Sequence, residues 1–102
     1  MNRSNIVEKL RTHEAELRHL GVARLFLFGS TARGEDTDAS DVDLAIWFDP
    51  DARPRGLAYI GKLEELSEKL SLMHDRPVDI VVEPVLGVQL QRAIDEDRVV
   101  AF

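Results

Sequence analysis

The stretch from Val22 to Phe48, VARLFLFGSTARGEDTDASDVDLAIWF, decides the fold. Val22 to Phe28 is a short apolar run interrupted only by Arg24, with Gly21 before it and Gly29 after it. Such a run, bounded by glycines, predicts a buried strand. Ser30 to Gly34 reads as a turn entering a brief helix. Asp41 to Phe48 predicts a second strand, because alternation separates Asp41, Asp43, Ala45 and Trp47 from Val42, Leu44, Ile46 and Phe48. The second set is wholly apolar and must face a core.

Working outward, Asn2 or Ser4 is placed to cap a first helix carrying Ile6, Val7, Leu10, Leu17 and Leu20 at helical spacing, and Gly21 stands where a helix ends. Pro50 to Pro54 is a loop. Leu57 to about Met73 is a second long helix, with Ile60, Leu63, Leu66 and Leu70 on one stripe. Arg76 to Glu83 predicts a third strand ended by Pro84, Leu86 to Ile94 a short helix, and Arg98 to Phe102 a last short strand. This order predicts an α/β (α+β) domain with a small mixed β-sheet and helices packed on one face.

The chain has 102 residues, a formal charge of -6 and no cysteine. That length predicts one domain, residues 1–102, with one core. Zero cysteine excludes disulfides, thiolate metal sites and a cysteine nucleophile. The acidic balance argues against direct nucleic-acid binding, which needs clustered Lys and Arg. No apolar run is long enough for a membrane span and no secretory h-region opens the chain, so a cytoplasmic location is expected. The acidity is concentrated: Glu35, Asp36, Asp38, Asp41, Asp43, Asp49 and Asp51 follow one another with no Lys or Arg between them.

Two readings compete for the first half of this segment. Gly29 lets the backbone approach a bound group closely, Ser30 offers a hydroxyl and a helix cap, and Arg33 offers a cation, which together suit an anion such as phosphate. A Gly-Ser after a strand is also an ordinary turn. Asp41 and Asp43, at i and i+2 on a strand, project to one side and repel each other. A divalent cation with oxygen-only ligands, Mg²⁺ or Mn²⁺, relieves that conflict better than solvation of a surface strand end. Asp79 interrupts the apolar strand Val78 to Val82. If the second and third strands are neighbours, three carboxylates share one face opposite a phosphate-holding loop. That is the composition of a two-metal phosphoryl-transfer site, with Asp79 near the attacking hydroxyl.

Gly29-Ser30, Ala32-Arg33-Gly34-Glu35 and Ser40-Asp41-Val42-Asp43-Leu44 together resemble the DNA polymerase beta-type nucleotidyltransferase superfamily, and most of all its minimal nucleotidyltransferase (MNT) branch. The resemblance runs from the first helix to the strand holding Asp79. It implies transfer of a nucleoside monophosphate from an NTP, usually ATP, to an acceptor hydroxyl, with release of pyrophosphate. It implies Asp41, Asp43 and Asp79 as catalytic and metal residues for Mg²⁺, and Gly29, Ser30 and Arg33 at the nucleotide. It further implies a HEPN-type toxin as partner, adenylylated on a tyrosine in the manner of a type VII antitoxin, within a homo- or hetero-oligomer. Two alternatives accompany it: a nucleotidyltransferase with a small-molecule acceptor, and a non-catalytic antitoxin that neutralises by binding.

Other residues carry plainer expectations. Trp47 is either a partly buried residue or an exposed anchor for a partner over the open sheet face. His13, His19 and His74 match no metal spacing and read as surface residues. Arg3, Arg11 and Arg18, alternating with Glu8, Glu14 and Glu16, read as a solvated helix face. Tyr59 reads as a packing residue. Glu35, Asp36, Asp38, Asp49 and Asp51 read as solvated loop charges.

Overall fold

The computed structural model describes residues 3–37 and 40–102. Along the chain lie α1 (Arg3–Thr12), α2 (Glu14–His19), β1 (Val22–Phe28), α3 (Gly29–Arg33), β2 (Val42–Phe48), α4 (Leu57–His74), β3 (Val78–Val82), α5 (Val88–Asp97) and β4 (Val99–Val100). The strands form one mixed sheet in the order β3-β2-β1-β4. β1 runs antiparallel to both β2 and β4, and β2 runs parallel to β3 across the α4 crossover.

The alternation read in β2 sorts the core. Val42, Leu44, Ile46 and Phe48 are buried on one face with Leu25 and Leu27 of β1, beneath Ile6, Val7 and Leu10 of α1, Leu17 of α2 and Leu66 and Leu70 of α4. The opposite face carries a smaller cluster of Phe26, Phe28 and Ala45, covered by Ile94 of α5. The mixed-sheet fold is as expected, but the helices do not all lie on one face. The two phenylalanines of β1 make the second face apolar at one end, and α5 covers that end.

Local departures have local reasons. The first helix is two helices: at His13 the backbone leaves helical geometry (φ -101°, ψ 14°), and the His13 ring bonds back to the Lys9 carbonyl (2.9 Å). Ser4 lies inside α1 rather than capping it, and Asn2 is outside the described residues. Gly21 does close α2, at φ +101°. Ile60 is 54% exposed and drops out of the α4 stripe, because at that end of the helix Tyr59 takes the inward place, packed edge-on against Phe48 at 5.9 Å. The arginines of the first two helices are structural ties. Arg3 donates to the Ala32 carbonyl, Arg11 to those of Val100 and Ala101, and Arg18 to that of Ala23 while lying over the Phe102 ring. Among the described residues no helix is long and apolar enough to cross a membrane.

Candidate active site

Strand register builds the site. Phe28, the last residue of β1, lies opposite Asp43 on β2, and Asp43 lies opposite Asp79 on β3. Residues in register share a face, and Asp41 joins them at i−2. Gly29 follows Phe28 directly, at φ +75°. A side chain there would overlap Oδ2 of Asp43 and lie 3.2 Å from its carboxyl carbon. Glycine is therefore required twice, by its left-handed backbone and by the carboxylate resting against it.

The charges are not neutralised. Among the described residues, none of Asp41, Asp43 and Asp79 takes part in an ion pair. Partial burial, then the charges of Asp79 and Asp41, push the Asp43 carboxyl above its ordinary range, with Arg33 opposing weakly. Asp79 is pushed up by desolvation, by the charge of Asp41 and by a hydrogen bond shared with it. Like charges gathered in one place hold protons, or a cation, more tightly than isolated carboxylates do. Oxygen-only donors of this kind fit a hard divalent ion. The described residues alone do not supply a ready set of three ligands.

The phosphate-loop residues are placed with one correction. The brief helix α3 starts at Gly29, with Phe28 in the cap position and no side chain capping it, so Ser30 lies within the first turn and is not its cap. Ser30 stays partly accessible. Gly34 ends the helix in the left-handed conformation. Arg33 is engaged by two acids, Glu35 (3.0 Å) and Asp97 at the end of α5 (2.6 Å).

Sequence reasoning missed Arg76. Its guanidinium pairs with Asp36 at 3.0 Å, the two side chains only 7% and 10% exposed, and it bonds the carbonyls of Thr37 and Ser40. Asp36 is therefore no solvated charge, and Glu35 is tied to Arg33, while Asp49 and Asp51 are exposed as expected and Asp38 lies outside the described residues. The only signal was a single Arg beside Pro77 at a strand entrance. His74 also departs from expectation. As the last residue of α4 it is 2% exposed, and neither ring nitrogen has a hydrogen-bond partner among the described residues. Burial, with Lys9, Arg76 and His13 nearby, lowers its pKa to about 4. Trp47 is 39% exposed on the site face.

A family model described as the nucleotidyltransferase domain matches residues 8–101. The chain belongs to the nucleotidyltransferase family. This nucleotidyltransferase is 34% identical over 97 residues to a Methanocaldococcus jannaschii chain named "Putative protein adenylyltransferase", with 94% of each covered. A second chain of that name from the same organism is 32% identical over 99 residues, again with 94% of each covered. Among solved structures, one described as "Structure of putative minimal nucleotidyltransferase" superposes with a TM-score of 0.75 at 26% identity, covering 97% of this chain and 95% of that one. The enzyme also shares its fold with a toxin–antitoxin crystallised with AMP-PNP (TM-score 0.64, 23% identity, 100% of this chain and 73% of that one). The same fold occurs in a Shewanella oneidensis complex of a tri-AMPylated HEPN toxin with its MNT antitoxin (TM-score 0.53, 21% identity, 89% and 70%).

Proposed function

We propose that this nucleotidyltransferase moves AMP from ATP to a hydroxyl, that of a tyrosine on a HEPN-type toxin, and so acts as a type VII-like antitoxin. The observation that carries the reading is the crowding of Asp41, Asp43 and Asp79, none in an ion pair among the described residues, beside Gly29. Folding gains nothing from three unpaired carboxylates in one place, whereas a metal–nucleotide complex needs them.

In the proposed reaction the acceptor oxygen forms a bond to the α-phosphorus, the bond from that phosphorus to the bridging oxygen breaks, and pyrophosphate leaves. Asp41 and Asp43 would hold Mg²⁺, with Asp79 completing the set. Mg²⁺ commonly binds through one or two carboxylates plus substrate phosphates, so an incomplete protein cage suits it. When bound, it would neutralise charge building on the phosphoryl oxygens. Asp79, with its raised proton affinity, suits the role of accepting the acceptor's proton. Gly29 leaves room for the Asp43 carboxylate and for backbone approach to phosphate. Ser30 and the uncapped N–H groups of the first α3 turn offer donors to the triphosphate. Arg33 can join them only by exchanging Glu35 or Asp97 for the nucleotide.

The toxin as acceptor is supported by the fold shared with the HEPN–MNT complex. Trp47, exposed on the same face, is a natural contact for such a partner. The test is incubation with ATP labelled at the α-phosphate, Mg²⁺ and a HEPN-type toxin from the same organism. Label should appear on a toxin tyrosine. Label transfer by the folded Asp41→Asn/Asp43→Asn variant would overturn the assignment of the site.

A further inference from the structure

Arg76 stands where the entries of β2 and β3 meet. Nε (3.1 Å) and one terminal nitrogen (2.7 Å) donate to the Ser40 carbonyl, that same nitrogen donates to Thr37 (3.1 Å), and the other terminal nitrogen pairs with Asp36 (3.0 Å). Ser40 immediately precedes Asp41. The Asp41 carbonyl accepts from Thr31 Oγ1 of α3 at 3.5 Å, and the Val42 N–H donates to the Pro77 carbonyl at 2.9 Å. Residues 40, 41 and 42 are thus tied in turn to Arg76, to α3 and to the residue after Arg76. Asp79 follows Arg76 by three positions on the strand paired with β2.

A nearly buried ion pair is a poor source of net stability, because desolvation offsets most of the attraction. Its best-attested use is to fix one arrangement over others. Here the segment it fixes leads straight into the crowded carboxylates. Residues 35–37, 40 and 41 lie in no helix or strand, so carbonyls there need another donor.

We propose that Arg76, braced by Asp36, is a positioning residue that sets Asp41 and Asp43 against Asp79 for cation binding. This rests on the metal reading of the site given above. Arg76 touches neither reacting group. It holds the strand entrance in the one place where β2 and β3 bring their acids into register.

The experiment is Mn²⁺ titration by electron paramagnetic resonance, in the presence of a non-hydrolysable ATP analogue, on the whole chain well below its melting temperature. Wild type should bind Mn²⁺ and Asp41→Asn/Asp43→Asn should not. Arg76→Lys, which keeps the charge but loses the fork, should weaken Mn²⁺ by about 10-fold or more, the usual cost of losing a group that orients metal ligands. Leu66→Ala, destabilised through the core on α4, should bind as wild type does, which separates positioning from general loosening. If Arg76→Lys does not fold, Asp36→Asn carries the test, since it leaves the carbonyl bonds of Arg76 in place; it should weaken Mn²⁺ by about 10-fold, the low end of the usual range. Unchanged Mn²⁺ affinity in the folded variant, while the double Asn variant loses binding, overturns the role of Arg76 alone. No Mn²⁺ binding by wild type overturns the metal reading and this inference with it.

Discussion

The open face of the sheet has two ends that handle buried acids in opposite ways. At one end Glu83 is buried beside Arg98 (2.9 Å) and Gln91 (3.0 Å), Arg98 lies 4.1 Å over the Phe26 ring, and α5 covers the group. At the other end Asp43 and Asp79, in register on β2 and β3, form no ion pair among the described residues; neighbouring acids push both carboxyls up, with only Arg33 opposing weakly at Asp43. The closed end pairs its buried charge within the fold, both contacts falling on one Glu83 oxygen. The open end leaves charge unsatisfied, which is what a site for a cation and a nucleotide requires. On the proposed reading, stability and function are separated along one face, and each end can be disturbed alone.

The largest effect is expected at the closed end. Arg98→Met leaves the Glu83 carboxylate buried without its cation and should cost about 3 kcal/mol in urea unfolding, with activity per folded molecule little changed. At the open end, Gly29→Ala forces Asp43 aside and should lower turnover by roughly 100-fold, about 2.7 kcal/mol in transition-state stabilisation, as expected for a displaced catalytic group. An acid titration gives the smallest effect, on the core face. The pKa of His74 falls from 6.5 to about 4 on folding, so the unfolded chain binds its proton first. Its contribution is complete above pH 6.5, falls as the pH drops through the window between those values, and is gone below about 4. Wild type should therefore lose roughly 2 kcal/mol relative to His74→Leu by pH 5, read from chemical unfolding at each pH. Asp43 and Asp79 act in the other direction, since carboxylates with raised pKa values weaken the fold at neutral pH and cease to do so as they protonate.

Much of this was legible in the sequence. The β1 boundaries and the inward set of β2 follow from apolar runs and alternation, signals that local chemistry controls. The gathering of the acids was legible because Asp41 and Asp43 share one set of the β2 alternation and Asp79 interrupts the apolar run of β3, which pairs with β2. What escaped depends on contacts distant in sequence. Arg76 meets Asp36 across forty positions, and nothing near either residue distinguishes a buried pair from two solvated charges. His74 ends an amphipathic helix, and its burial depends on how α1 lies over it. The second covered face depends on where α5 returns, which the pattern of α5 alone does not specify.

The central claim is that the open end gives up stability until a metal–nucleotide complex arrives. The most direct measurement is the thermal melt of wild type and Asp43→Asn, each with and without Mg²⁺ and a non-hydrolysable ATP analogue. Without ligand, Asp43→Asn should melt a few degrees above wild type, because one repelling charge is gone. With ligand, wild type should rise and overtake the variant, which should barely move. A variant less stable than wild type without ligand, or an equal rise in both with it, would contradict the account.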